Sequence, residues 1–176
     1  MLKRRFIAFV IDYLVILLYA TFLWGLSLWL YKPFDISSIR ISPVEGQVLG
    51  LVSLTIPVFL YHYLMESSSK MGTIGKLKMG IQVAANKRSQ VFWRNLIKFL
   101  PWELAHLGVH QIRYFSNQEA EAPIWIWLFL LLPQLLVIMY LITIFRTKGT
   151  SSLYDRLAGT TVAQRTNHSS KGCAHD

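Results

Sequence analysis

The chain has 176 residues, enough for one domain, and 53% of them are hydrophobic against 15% charged. With a mean hydropathy of +0.40, that balance excludes an ordinary soluble globule and points to a small polytopic membrane protein. The formal charge of +9 would suit nucleic acid, but the basic residues sit beside apolar runs, where the positive-inside rule accounts for them. The expected partner is therefore the lipid bilayer and not nucleic acid.

Residues 6 to 31 form the first apolar run, broken by a single charge, Asp12. Crossing a hydrocarbon core takes about 20 apolar residues, so this run is long enough to span. A carboxylate within such a helix costs about 2.5–3.5 kcal/mol on insertion scales, so it is expected to be paired, buried or functional. Arg5 lies two helical turns earlier on the same face. The start Met-Leu-Lys-Arg-Arg has the charge of a signal peptide. The run behind it is too long for an h-region and shows no cleavage pattern, so it reads as a retained anchor.

The second run, about 47 to 65, contains Pro57, which is tolerated where a neighbour satisfies the carbonyl it frees near Ser53. Gly46 and Gly50 give a close-packing spacing, with Gly46 read as part of the preceding loop. Residues 91 to 112 are amphipathic. Arg94, Asn95, Lys98, Glu103, His106 and His110 fall in one half of a helical wheel, and Trp93, Leu96, Ile97, Leu100, Leu104 and Leu107 in the other. Such a helix can lie on the membrane surface or cross it with its polar half against partner helices. The last run, about 123 to 145, has Trp125 and Trp127 at one end and Arg146 and Lys148 at the other.

Charge chooses between three crossings and four. If residues 91 to 112 cross, only Lys32, Arg40 and Arg113 lie outside, and the acidic loop with Glu119 and Glu121 lies outside too. The sequence thus predicts an all-α membrane protein, a bundle of four transmembrane helices with a polar, amphipathic third helix and both termini cytoplasmic. Residues 1 to 165 make up the transmembrane domain and 166 to 176 a disordered tail. The stretches at 80 to 85 and 159 to 164 read as ordinary loop or as two short paired strands.

Several motifs could carry chemistry. Gly72-Thr-Ile-Gly-Lys76 resembles the end of a phosphate-binding loop, but it lacks the first glycine, a following Ser/Thr and a preceding strand. It reads as a flexible turn. Glu103, His106 and His110 share a helix face at a spacing able to ligate a zinc-like ion, or else hydrogen-bond across the bundle. His168, Cys173 and His175 lie in the polar tail, where a lone cysteine allows no internal disulfide. Two readings of Asp12 stay open. One is a structural ion pair with Lys98, Arg94 or Arg5, and the other is a cation or proton site.

Arg-Arg-Phe-Ile-Ala-Phe-Val-Ile-Asp at 4 to 12, Gly-Thr-Ile-Gly-Lys-Leu-Lys-Met-Gly-Ile-Gln-Val at 72 to 83, and Tyr-Asp-Arg-Leu-Ala-Gly-Thr at 154 to 160 occur in that order. Together they resemble the RDD family of bacterial membrane proteins, named for one arginine and two aspartates. The resemblance implies that Arg5, Asp12 and Asp155 are the family residues. Two features depart from the pattern: the family's Thr-Pro-Gly-Lys reads Thr73-Ile-Gly-Lys76 here, and Pro101 to His106 has no counterpart in the general motif. The resemblance also implies a bundle in a bacterial inner membrane with a poorly defined role in transport, and it supplies no substrate.

The expected function is accordingly transport-related, moving a cation, proton or small solute, with Arg94, Lys98, Glu103 and His106 as intramembrane polar partners. Four helices are few for a carrier, so a homo-oligomer or other membrane proteins are expected as partners. The alternative is a non-transporting assembly partner that docks through the polar half of 91 to 112. Asp155 is expected to cap a short helix or to bind Lys76, Lys78 or Arg88. No cofactor and no enzymatic activity are expected. The arrangement that would support an enzyme is a metal-dependent one built on Glu103, His106 and His110.

Overall fold

A computed structural model describes residues 1–34 and 42–165, so the predicted tail at 166 to 176 lies outside the described residues. The fold is mostly helical. Three of its helices are long and apolar enough to cross a membrane: α1 (Leu2–Phe34), the stretch Pro43–Ser67, and α6 (Ile124–Arg146). α1 begins four residues earlier than the apolar run, so Lys3, Arg4 and Arg5 lie within its first turns.

The second stretch is three joined pieces. α2 (Pro43–Gly50) starts at Ser42, whose side chain accepts from the Glu45 amide while Glu45 accepts from the Ser42 amide; Pro43 occupies a first-turn position. Gly46 is therefore helical, not part of a loop. A π-helical turn, Leu51–Thr55, leads into α3 (Ile56–Ser67), where the Ile56 amide reaches back five residues to Leu51. Pro57 brings no amide to the Ser53 carbonyl, and Tyr19 of α1 donates its hydroxyl there at 2.6 Å.

The amphipathic segment is α5 (Arg88–Asn117), longer than the predicted 91 to 112 and containing Pro101. Here too a tyrosine repairs the proline: Tyr140 of α6 donates to the Ile97 carbonyl, four residues before Pro101, at 2.9 Å. The polar half of α5 faces α2 and α3, and Trp93, Leu96 and Leu100 are exposed on the other half. Within the chain, that polar half makes its contacts with α2, the π-helical turn and α3.

The remaining elements form a cap at one end of the bundle: α4 (Ile74–Lys78), β1 (Ile81–Ala84), α7 (Leu153–Leu157) and β2 (Thr161–Gln164). The strands form, pairing antiparallel with Ile81 opposite Gln164 and Ala84 opposite Thr161. Ala8, Ile81 and Val162 make a small apolar core where this cap meets α1, with Met1 and Met79 against it. The start of α1, the end of α3, the start of α5 and the end of α6 all reach this cap, so successive long helices run antiparallel.

The distribution of polarity is inverted relative to a protein in water. Phe6, Phe9, Leu18, Phe22 and Trp29 of α1 and Leu128, Leu131 and Phe145 of α6 are exposed. Arg5, Asp12, Glu66, Lys76, Arg94 and Asp155 are buried. An apolar exterior around a charged interior suits lipid as the solvent.

Candidate functional site: a closed charge network and a polar seam

Asp155 sits at the start of α7, where it accepts from the Ser152 amide at 2.9 Å and the Ser152 hydroxyl at 2.8 Å. The local sequence makes this a capping box, which turns the carboxylate toward the helix bundle. Two guanidiniums meet it there, Arg5 Nη2 at 2.5 Å and Arg94 Nε at 2.7 Å. Burial by itself raises the Asp155 carboxyl; Arg94 and Arg5 outweigh that and hold it at about 2. Arg5 also donates to the Tyr154 hydroxyl at 3.0 Å and to the Gly149 carbonyl at 3.4 Å. The Tyr154 ring lies between the two cations, 5.8 Å from the Arg5 guanidinium carbon and 5.3 Å from that of Arg94.

Arg94 continues the network through Nη1 to Glu66, which also accepts from Lys76 Nζ and, at 3.0 Å, from Asn95 Nδ2. The result is a chain of alternating sign, Arg5–Asp155–Arg94–Glu66–Lys76, drawn from α1, α7, α5, α3 and α4. Each of these five groups has an opposite charge in hydrogen-bond reach. That is the condition under which buried ions are tolerated.

Asp12 belongs to the same end but not to this chain. Its carboxylate accepts from Thr73 Oγ1 at 2.5 Å, the Gly75 amide at 2.8 Å and the Tyr61 hydroxyl at 3.2 Å. Gly75 is required for that approach, because a Cβ on it would stand 2.1 Å from the Ala8 carbonyl oxygen. The expected ion pair of Asp12 with Lys98, Arg94 or Arg5 is corrected: among the described residues Asp12 is in no salt bridge. Neutral donors at the start of α4 and on α3 satisfy it instead. The expected contacts of Asp155 with Lys76, Lys78 or Arg88 are likewise replaced by Arg5 and Arg94. Lys76 goes to Glu66.

From this end the polar half of α5 follows α3 and α2 along their length. Lys98 Nζ lies 3.2 Å from His62 Nδ1. Glu103 accepts from the Thr55 hydroxyl, and from Gln47 Nε2 at 2.8 Å. His106 lies on Gly50 and His110 on Gly46, one helical turn apart. Among the described residues no group of three or more His, Cys, Asp and Glu side chains is arranged to hold a metal ion. The Glu103/His106/His110 set is therefore not assembled as the sequence suggested, since the Glu103 carboxylate is committed to Thr55 and Gln47. The tail residues His168, Cys173 and His175 lie outside the described residues.

Sequence reasoning missed Glu66, His62, Tyr61, Thr73 and Tyr154. Glu66 is the first residue past the second apolar run, and an acid closing a transmembrane segment beside buried arginines was the available signal.

The model of the RDD family matches residues 1–159, nearly the whole chain. The chain belongs to the RDD family. No curated protein and no solved structure matches it. Of the three residues that the resemblance assigns to this RDD chain, Arg5 and Asp155 form one buried ion pair. Asp12, the third, tethers α4 to α1.

Proposed function

We propose that this RDD-family chain is a bacterial inner-membrane protein of four crossings with both termini cytoplasmic, and that it takes part in moving a proton, a small cation or a small solute. The crossing count is supported by α5, 30 residues long, running antiparallel to both α2–α3 and α6. Its orientation is supported by Lys3, Arg4, Lys87, Arg88, Lys148 and Arg156, which lie at the capped end. One observation carries the transport reading: the seam of Glu103, Lys98 and His62 runs along α5 against α2, the π-helical turn and α3, meets the charge network where His62 Nδ1 lies 3.8 Å from Glu66, and sits inside an apolar exterior. The chemistry proposed is translocation, with no bond made or broken in a substrate.

The reading is tested with purified protein in liposomes, following proton and alkali-cation flux under an imposed gradient. Flux above empty liposomes that falls in Lys98→Met or Glu103→Gln supports it. Absence of flux in the wild type favours the assembly-partner reading, which the fully compensated network at the capped end also supports. Topology is tested with an impermeant thiol reagent on intact cells: labelling of Cys173 would place the tail outside and overturn the orientation.

A further inference from the structure

We infer that His106 and His110, with the side-chain oxygen of Gln47, bind a divalent d-block cation such as zinc at the end of the seam remote from the charge network. The two imidazoles stand on successive turns of α5, with ring centroids 4.7 Å apart and planes inclined by 49°. Histidines four residues apart on one helix face are the smallest helical chelate for such an ion. Among the described residues, Nδ1 of His106 and Nε2 of His110 are shielded and meet no hydrogen-bond partner, and the same holds for Gln47 Oε1. Three unsatisfied lone-pair donors thus lie on facing stretches of α2 and α5, where almost every buried polar atom finds a partner.

The surroundings fix these groups. A Cβ on Gly46 would lie 2.7 Å from His110 Cε1, and one on Gly50 would lie 2.4 Å from His106 Cε1. Any larger residue at either place would displace a ring, so the glycines let both imidazoles rest against the α2 backbone. Gln47 is oriented by Glu103, which takes its amide nitrogen at 2.8 Å and leaves the oxygen as the free end. The Glu103 carboxylate then acts one shell out, adding negative charge near the cation. Two imidazole nitrogens and a carbonyl oxygen select zinc, cobalt, nickel or copper over magnesium and calcium, which prefer all-oxygen sets. This inference does not depend on the transport reading.

The test is isothermal titration of the full-length, chelator-treated protein in detergent with zinc chloride, in a Cys173→Ser background so that the tail thiol contributes nothing. Cobalt absorption reports the ligand type independently. One equivalent of zinc should bind, with a cobalt spectrum of nitrogen and oxygen ligands. Binding should be lost in His106→Ala/His110→Ala and weakened about tenfold in Gln47→Ala. Thermal unfolding of each variant shows whether it is folded, and His106→Gln provides a milder change if the double variant is not. Absence of zinc binding in the Cys173→Ser protein, or undiminished binding in a folded variant lacking either imidazole, overturns the assignment.

Discussion

Replacing Asp155 by Asn keeps the side chain's shape and removes its charge, which isolates what the carboxylate does for Arg5 and Arg94. Arg94 keeps Glu66 as a counter-charge, whereas Arg5, among the described residues, is left with the Tyr154 hydroxyl and the Gly149 carbonyl. Two charge-assisted hydrogen bonds, each worth about 1.5–3 kcal/mol, are weakened together. Removing one partner of a buried ion pair costs about 3–5 kcal/mol by the same logic, so a loss in that range is expected. The assay is reversible denaturant unfolding of the purified protein in detergent, with cellular abundance as a second readout. Adding Arg5→Met removes the uncovered cation and should recover more than half of the loss. A single-variant loss below about 1 kcal/mol, the scale of an exposed ion pair, would refute the reasoning. So would a double variant no better than the single. The pH dependence has a definite sign. Because folding holds this carboxyl at about 2, below its ordinary 3.8, its stabilisation is complete above the ordinary value and drains away as pH falls from there toward 2. Raising the pH from neutral should leave this contribution unchanged.

Asp12→Asn should cost about 1–3 kcal/mol, because the amide nitrogen that replaces one carboxylate oxygen cannot accept there, from Thr73 on one side or from Gly75 and Tyr61 on the other. Lys98→Met should not restore that loss, and a rescue would show that Asp12 is paired with Lys98 after all. Gly75→Ala should sharply lower folded yield, since its methyl would meet the Ala8 carbonyl at 2.1 Å; Gly25→Ala, with nothing within 4 Å, is the control. A Gly75→Ala protein as stable as that control would refute the close approach of α4 to α1. Tyr140→Phe should cost about 1–3 kcal/mol by orphaning the Ile97 carbonyl. In a Pro101→Ala background the restored amide serves that carbonyl, so the same change should cost less; equal costs in a double-mutant cycle would refute the repair.

The long helices were legible because a membrane imposes length and hydropathy on each segment separately, and α5 was legible from its two unlike halves. The partner of each charge was not, because partners are set by which helix ends converge. Asp155 reads from the sequence as the cap of a short helix or as a partner of Lys76, Lys78 or Arg88, and of these the cap forms. The arginines that reach it come from the first turns of α1 and α5, far away in sequence. One of the two readings of Asp12 makes it half of an ion pair, because an acid in an apolar run calls for a cation. A hydroxyl, a phenol and one backbone amide satisfy it equally, and no composition rule marks a backbone amide. The short strands were ambiguous because four residues of mixed polarity carry too little periodicity to decide between strand and loop.

The location of a charge in this bundle determines what its removal should do. At the capped end, three cations (Arg5, Lys76 and Arg94) and three carboxylates (Asp12, Glu66 and Asp155) are buried, and every one is held by an ion pair or by several hydrogen bonds. None of the six is left over for a mobile ion, and removing any one uncovers another or orphans its donors, so the damage falls first on folding. Along the seam, Lys98 faces an imidazole and, among the described residues, forms no salt bridge. Replacing Lys98 uncovers no opposite charge, so it can be lost with little effect on the fold. Variants of this RDD protein should therefore separate into two groups, those at the capped end losing abundance and those along the seam losing activity at normal abundance. A seam variant that lost abundance as severely as Asp155→Asn would mean that the seam, too, is scaffold, and would leave the assembly-partner reading as the better account.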